Sequence, residues 1–116
     1  MKVGIVSGSA RKGNNTLRVA KALAKQIDGA HVVDYQMYDF PNMAEGWLNP
    51  AAQTDFQTDL IDTINGSDLL IVLTPEYNWF PSAEIVNTIH QLGCEAYKNI
   101  FDNMVVATVG VSSGRG

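Results

Sequence analysis

The chain is poor in the residues that mark several classes of protein. Its one cysteine, Cys94, cannot form a disulfide within the chain, which agrees with a reducing compartment. The two histidines, His31 and His90, are widely separated, and no set of metal-ligating residues has a credible spacing. We therefore predict neither a disulfide framework nor a metal site.

Long apolar runs and a surplus of basic residues are also missing. The longest uninterrupted apolar run, LLIVL at 69–73, is far shorter than the roughly 18 residues of a membrane span. A net charge of −4 argues against general binding to nucleic acid, because phosphate neutralisation needs clustered Lys and Arg. We therefore predict a cytoplasmic protein that has neither a membrane nor a nucleic acid as its partner.

The few basic residues are concentrated at the start of the chain. Six of the eight Lys and Arg precede the first acidic residue, Asp28, so a local positive field surrounds this segment. Arg11 and Lys12 lie in a glycine-rich turn and are candidates for ligand contact. The basic residues that follow them are typical of a solvated helix face.

Short apolar, β-branched runs alternate with segments whose apolar residues recur at helical spacing. We predict strands at 2–6, 30–35, 67–74 and 104–111, and helices capped by Asn14, Asn15 or Thr16, by Thr54, and by Ser82. The third helix is expected to bury Ile85, Ile89 and Leu92. Residues 36–53 form a long loop, which is a candidate lid.

This alternation predicts one α/β domain over residues 1–116, with a parallel sheet covered by helices on both faces. In such sheets ligands bind beyond the carboxyl ends of the strands. The loops at 7–16, 74–81 and 112–116 leave those ends.

The first loop, GSARKGNNT at 8–16, fits none of the common nucleotide motifs. Gly8 and Gly13 begin a P-loop pattern, but Asn14 and Asn15 stand where Lys and Ser or Thr are required. The dinucleotide pattern G-x-G-x-x-G is absent, and so are the acidic residues of a receiver domain. What is left is a set of hydroxyls, amides and backbone N–H groups beside an arginine at a helix N-terminus, which suits a terminal phosphate. The alternative is that these residues only form a turn and a cap. The side chains that we place on the phosphate are Ser9, Arg11, Asn15 and Thr16.

The second loop, TPEYNWFPSAEIVN at 74–87, has a proline on each side of an aromatic segment and is therefore stiff. It brings aromatic edges and backbone N–H groups to the same end of the sheet, which suits a flat, partly polar ring system. Trp79 and Phe80 either face a ligand or pack on the core of the protein, and the sequence leaves both open.

These two loops, followed by VGVSSGRG at 109–116, resemble the NADPH-dependent FMN reductase family of flavodoxin-like proteins, which includes quinone, azo-dye and chromate reductases. The resemblance implies strand order 2-1-3-4-5, FMN as the cofactor, and NADPH or NADH as the hydride donor to a small acceptor. It places the FMN phosphate on the four residues of the first loop. The remaining FMN contacts that it implies are Pro75, Glu76, Tyr77 and Asn78 against the ring, with Ser112, Ser113 and Gly114 on the other side. We expect backbone N–H groups of the second loop, that of Glu76 included, to face the ring, with no catalytic side chain.

Family members continue with a fifth strand and a closing helix, so the resemblance also implies a flavodoxin-like sheet of order 2-1-3-4 in which strand 5 is absent. Either the polypeptide has been shortened, or a second copy of the chain covers the apolar surface, and we predict a homodimer or a higher homo-oligomer. Two alternatives to an FMN-dependent reductase stay open: an electron-transfer carrier without a substrate of its own, and a binding protein that holds no flavin.

Overall fold

Four strands and three α-helices alternate along residues 1–112, the part of the chain that this computed structural model describes. The elements in chain order are β1 (Val3–Ser7), α1 (Asn15–Gln26), β2 (His31–Asp34), α2 (Asp55–Ile64), β3 (Leu69–Pro75), α3 (Ala83–Gln91) and β4 (Val105–Val111). Short 3-10 turns occur at Tyr35–Met37, Met43–Glu45 and Glu95–Tyr97. The predicted alternation is confirmed, with strand ends displaced by one or two residues.

All strand pairings within this part of the chain are parallel, and the sheet order is β2-β1-β3-β4. Ile5 of β1 pairs with Val32 of β2 on one side and with Ile71 of β3 on the other. Ile71 in turn lies opposite Ala107 of β4. The predicted doubly wound, flavodoxin-like order 2-1-3-4 is therefore confirmed, and the carboxyl ends of β1, β3 and β4 lie at the same edge of the sheet.

The core has two layers, one on each face of the sheet. On one face Ile5, Leu73 and Ile71 pack with Ala20 of α1. On the other face the sheet packs against both α2 and α3, through a larger cluster that includes Leu60. Strands that are buried on both faces read as continuous apolar runs in the sequence, which is why β1 and β3 could be located.

The helix starts follow the predicted caps. Thr54 and Ser82 accept hydrogen bonds from backbone N–H groups of α2 and α3, and Asn14 is the residue among the three candidates that caps α1. The burial predicted for Ile89 is wrong, since this side chain is 61% exposed. It lies on the α3 stripe but borders an apolar cavity, so no neighbouring side chain closes over it.

The middle of the 36–53 segment is fastened to α3, and the role of this segment as a lid stays a prediction. The buried side chain of Gln91 accepts a hydrogen bond from Leu48 N at 2.8 Å and donates to Pro41 O and Gly46 O, both at 2.9 Å. Asn87 donates to Pro41 O as well, at 2.9 Å. These bonds satisfy the backbone of an irregular segment that partly covers α3.

Among residues 1–112, none of the helices has both the length and the apolar character needed to span a lipid bilayer.

Candidate cofactor-binding site

The loops that follow β1 and β3, together with the end of β4, enclose a polar cavity of about 250 Å³ at one edge of the sheet. It is lined by Ser9, Arg11, Lys12, Gly13, Asn14, Asn15, Thr16, Pro75, Glu76, Tyr77, Val111 and Ser112. The structure thus brings together all four side chains predicted for the phosphate, and three of the four predicted for the ring. Asn78 is exposed at the tip of the second loop and does not line the cavity. Ser112 lines the cavity, whereas the predictions for Ser113 and Gly114 fall outside the described residues.

Asn14 organises the first loop. Its Oδ1 atom accepts a hydrogen bond from Leu17 N at 2.7 Å, which caps α1. Its Nδ2 atom donates to Arg11 O at 2.6 Å and to Ser9 O at 3.3 Å, so the loop folds back on its own cap. The sequence offered Asn14 as one possible cap, but nothing in it indicated the two bonds that shape the loop.

The electrostatics of the first loop favour an anion. Arg11 and Lys12 are exposed, and neither side chain has an ion pair or hydrogen bond with another described residue. The first turn of α1 contains no acidic residue, so the positive end of its dipole is not neutralised locally. Two exposed cations and a helix N-terminus therefore act on the same small volume.

Hydroxyl and amide groups complete this half of the site. Ser9 and Thr16 are almost fully buried beneath the cavity, and Ser9 Oγ accepts a hydrogen bond from Arg11 N at 3.4 Å. Asn15 is exposed on the first turn of α1, where its Oδ1 atom accepts from Arg18 at 3.4 Å. The donor set is suited to a phosphate monoester, whose oxygens accept from cations, hydroxyls and amides alike.

The second loop presents its aromatic side chains on a tight turn. Tyr77 and Phe80 exchange two backbone hydrogen bonds, of 2.9 and 3.1 Å, and both residues between them have positive φ, 53° at Asn78 and 71° at Trp79. Two consecutive left-handed residues are typical of a type I′ turn, which a tryptophan adopts only at an energetic cost. Trp79 and Phe80 are 79% and 68% exposed, which answers the question that the sequence left open: neither packs into the core.

Two backbone N–H groups of the second loop that were expected to face the ring are engaged within the protein. Glu76 N donates to Val111 O at 3.0 Å, and Tyr77 N donates to Phe80 O at 2.9 Å. The expectation that the Glu76 N–H faces a flavin is therefore wrong, because β4 extends far enough for Val111 to take this donor. The side chains, rather than these two amides, remain available to a ligand.

Comparison with known proteins decides the family. The family model described as NADPH-dependent FMN reductase matches residues 1–116. The chain belongs to this family. The description names FMN and NADPH, the cofactor and the donor that the sequence analysis predicts.

Two solved structures resemble this member of the NADPH-dependent FMN reductase family. One is FerB, a flavoenzyme NAD(P)H:(acceptor) oxidoreductase from Paracoccus denitrificans, with a TM-score of 0.73 and 27% identity over 97% of this chain and 61% of that one. The chain thus spans about three-fifths of the length of FerB. The other is a flavoprotein from Lactobacillus acidophilus NCFM in complex with FMN, with a TM-score of 0.49 and 14% identity over 94% of this chain and 91% of that one. No curated protein matches the chain.

A second, apolar cavity of about 670 Å³ adjoins the polar one in this family member. It lies on the face of the sheet that carries α2 and α3, and Trp79, Phe80 and Ile89 form part of its wall. Pro75, Glu76 and Ser112 line both cavities, so the second loop separates a polar compartment from an apolar one. Within residues 1–112, no group of three or more His, Cys, Asp or Glu side chains is arranged to hold a metal ion.

Proposed function

We propose that the chain binds FMN in the polar cavity and acts as an NAD(P)H-dependent oxidoreductase. The observation that carries the proposal is the convergence of Arg11, Lys12 and the N-terminus of α1, whose first turn contains no acidic residue, on one cavity. The family to which the chain belongs supports the choice of FMN over other phosphate monoesters. When bound, FMN supplies the hydride and electron chemistry, which amino-acid side chains do not perform.

The residues present fit the phosphate end of this cofactor. Gly8 leads into the loop without a side chain, and an added Cβ there would lie only 2.4 Å from Ile85, so the close approach of loop and helix depends on glycine. Ser9, Arg11, Asn15 and Thr16 would hold the phosphate, the first and last from beneath the cavity. Lys12 adds a second positive charge at the rim.

The ring end is held by fewer polar groups. Pro75, Glu76 and Tyr77 would bound the ring system on the side of the second loop, and contact with Asn78, at the tip of that loop, stays a prediction. Because the Glu76 and Tyr77 N–H groups are bonded within the protein, this loop contributes shape and an aromatic edge more than hydrogen bonds. Ser112, at the end of β4, would bound the opposite side.

A small flat acceptor of the quinone or azo class is the substrate that we propose. Its support is the pair of exposed aromatic side chains, Trp79 and Phe80, which stand beside the polar cavity and can stack on a planar molecule. The activity of FerB, an NAD(P)H:(acceptor) oxidoreductase, agrees with this class of reaction. The expectations of a homo-oligomer and of a cytoplasmic location stay predictions, and light scattering tests the first.

Titration with FMN tests the cofactor. We expect the flavin absorbance to shift and the melting temperature to rise on binding. Arg11→Ala should weaken binding by about 1.5 to 3 kcal/mol, the range of a hydrogen bond to a charged group, or roughly 10- to 150-fold. Lys25→Ala, which removes an exposed cation from the last turn of α1, should leave the affinity unchanged. A melting temperature that does not change when FMN is added would refute the proposal.

A second assay tests the reaction. NADPH oxidation by the FMN-loaded chain is followed with a small quinone and without any protein partner. Steady turnover supports an enzyme, whereas FMN binding without turnover would support the carrier. Failure to bind FMN would favour a binding protein that holds no flavin.

A further inference from the structure

One buried hydroxyl joins the two ligand loops at their bases. Ser82 is fully buried, and its Oγ atom lies 2.7 Å from Gly8 O. A carbonyl oxygen can only accept, so the Ser82 hydroxyl is the donor. The same hydroxyl oxygen accepts from Ile85 N at 3.3 Å, which is the cap of α3. The hydroxyl therefore serves two partners, one at the start of α3 and one at the start of the first loop.

Gly8 is held from its other side as well. Its N–H donates to Leu73 O at 2.8 Å, so both polar atoms of this residue bond to the chain that flanks the second loop. Ser9, the next residue, reaches the polar cavity. Residues on either side of the second loop therefore fix the position of the phosphate end of the cavity.

Thr74 closes the base of the second loop. Its Oγ1 atom accepts a hydrogen bond from Ser82 N at 3.1 Å and donates to Pro75 O at 3.0 Å. The two ends of the loop are therefore tied to each other through Thr74 and to the first loop through Ser82. Networks of fully satisfied buried groups fix geometry more tightly than isolated bonds do.

We propose that Ser82 is a positioning residue for FMN. It holds the first loop, which would bind the phosphate, and the second loop, which would bound the ring, at a fixed distance from each other. The inference rests on the proposed function. A ligand that bridges two loops gains the full benefit of both contacts only where the loops are already spaced for it, because ordering them on binding would reduce the affinity. Ser82 does not line the polar cavity, so its effect on a ligand there is transmitted through Gly8.

The cap of α3 and the link, which is the hydrogen bond from Ser82 to Gly8 O, require different chemistry. Substitutions at Ser82 can therefore separate their effects. In the cap of α3 the Ser82 hydroxyl acts as an acceptor, and at cap positions glycine, although it supplies no acceptor, is nearly as stabilising as serine. The link to Gly8 needs a hydroxyl proton. Ser82→Gly therefore keeps most of the cap and removes the link, Ser82→Ala removes both, and Ser82→Thr keeps both.

The measurement is the ratio of the affinities for FMN and for riboflavin, which has the same ring system and no phosphate. Bridging makes FMN bind more tightly than riboflavin in the unmodified chain. We expect Ser82→Gly and Ser82→Ala to reduce this ratio about tenfold, the equivalent of one hydrogen bond, and Ser82→Thr to restore most of it. Thr54→Ala, which removes the cap of α2 away from the cavity, should lower the melting temperature and leave the ratio unchanged.

An unchanged ratio in a folded Ser82→Gly variant would overturn this inference and leave the proposed function standing. Absence of flavin binding to the unmodified chain would overturn both. If the Ser82 variants fail to fold, amide exchange on the unmodified chain decides. Inorganic phosphate alone should then slow exchange at residues 76–80 as well as at 9–16, and protection limited to 9–16 would overturn the link.

Discussion

Gly8→Ala is the substitution whose effect the structure specifies most closely. A Cβ atom at this position would lie 2.4 Å from Ile85 Cγ1, 2.6 Å from Ile85 Cδ1 and 2.7 Å from Leu73 O. The Ile85 side chain is buried in the core beneath α3, and Leu73 O is fixed because it accepts the Gly8 N–H. Leu73 O cannot move aside without disturbing β3, and the Ile85 side chain must leave its present position to admit the new Cβ atom.

The cost has two parts. Overpacking of this kind typically destabilises by about 1 to 3 kcal/mol. Displacing Gly8 also weakens its bonds to Leu73 and Ser82, at about 1 kcal/mol for each bond lost. The sum, about 3 to 5 kcal/mol, is a large part of the stability of a small domain, which is about 5 to 15 kcal/mol. FMN affinity should fall with it, because the phosphate loop begins at the next residue.

Urea unfolding followed by circular dichroism measures the first effect. Gly13→Ala is the matched control in the same loop: its φ of +63° strains an alanine by about 1 kcal/mol, but no atom lies within 4 Å of the added Cβ. In the double variant Gly8→Ala/Ile85→Ala the clash with Ile85 is removed, so the two costs should be less than additive by at least about 1 kcal/mol. A Gly8→Ala variant no less stable than Gly13→Ala, or strict additivity in the double variant, would refute the steric argument.

Three further substitutions test the rest of the molecule by urea unfolding. Gln91→Leu leaves Leu48 N and Gly46 O without their partners, whereas Pro41 O keeps its hydrogen bond from Asn87, and should cost about 2 kcal/mol; a loss below about 1 kcal/mol would mean that the segment is held by other contacts. Asn14→Ala removes the cap of α1 and should cost about 1 to 2 kcal/mol. Asn14→Asp keeps the acceptor but not the donors, so its stability should lie between those of Asn14→Ala and the unmodified chain. If Asn14→Asp is as stable as the unmodified chain, the Nδ2 atom has no role. Burial raises the pKa of Tyr35, and the hydrogen bond to Thr88 opposes part of this rise. The neutral Tyr35 side chain therefore stabilises the fold fully below about pH 10, and this stabilisation is lost as the pH rises above that value. Tyr35→Phe should therefore cost about 1 kcal/mol at pH 7 and flatten the fall in stability at high pH, and an unaltered pH profile would contradict the assignment.

The sequence predicts the fold well because the signals it uses are local. Buried parallel strands appear as apolar runs, and Thr54 and Ser82 are recognisable caps whatever lies beyond them. Exposure is a different matter, since it depends on what packs against a helix from elsewhere in the chain. Ile89 has the right spacing for burial, and only the structure shows that its neighbour is a cavity.

For the candidate site too, some features can be predicted from the sequence and others cannot. The residues that give the loops their chemistry, such as Arg11 and Tyr77, are conspicuous by type and could be found in the sequence. The bonds that fix the loops join residues far apart in sequence, as Ser82 joins Gly8 across 74 positions, and their members are ordinary serine, threonine and glycine. Nothing in residue type distinguishes a cap from a cap that also holds a second loop.

The exposed charges at the rim of the cavity and the buried bases of the loops would contribute differently to ligand binding. The charged groups at the rim are exposed and free to adapt to a ligand, so they contribute attraction that salt will screen. Gly8 and Ser82, at the bases of the loops, are buried and hydrogen-bonded to each other, so they contribute spacing that salt will not alter. We therefore expect affinity for a phosphate-bearing ligand to depend on Arg11 and Lys12, and the ability to hold both ends of that ligand at once to depend on Gly8 and Ser82.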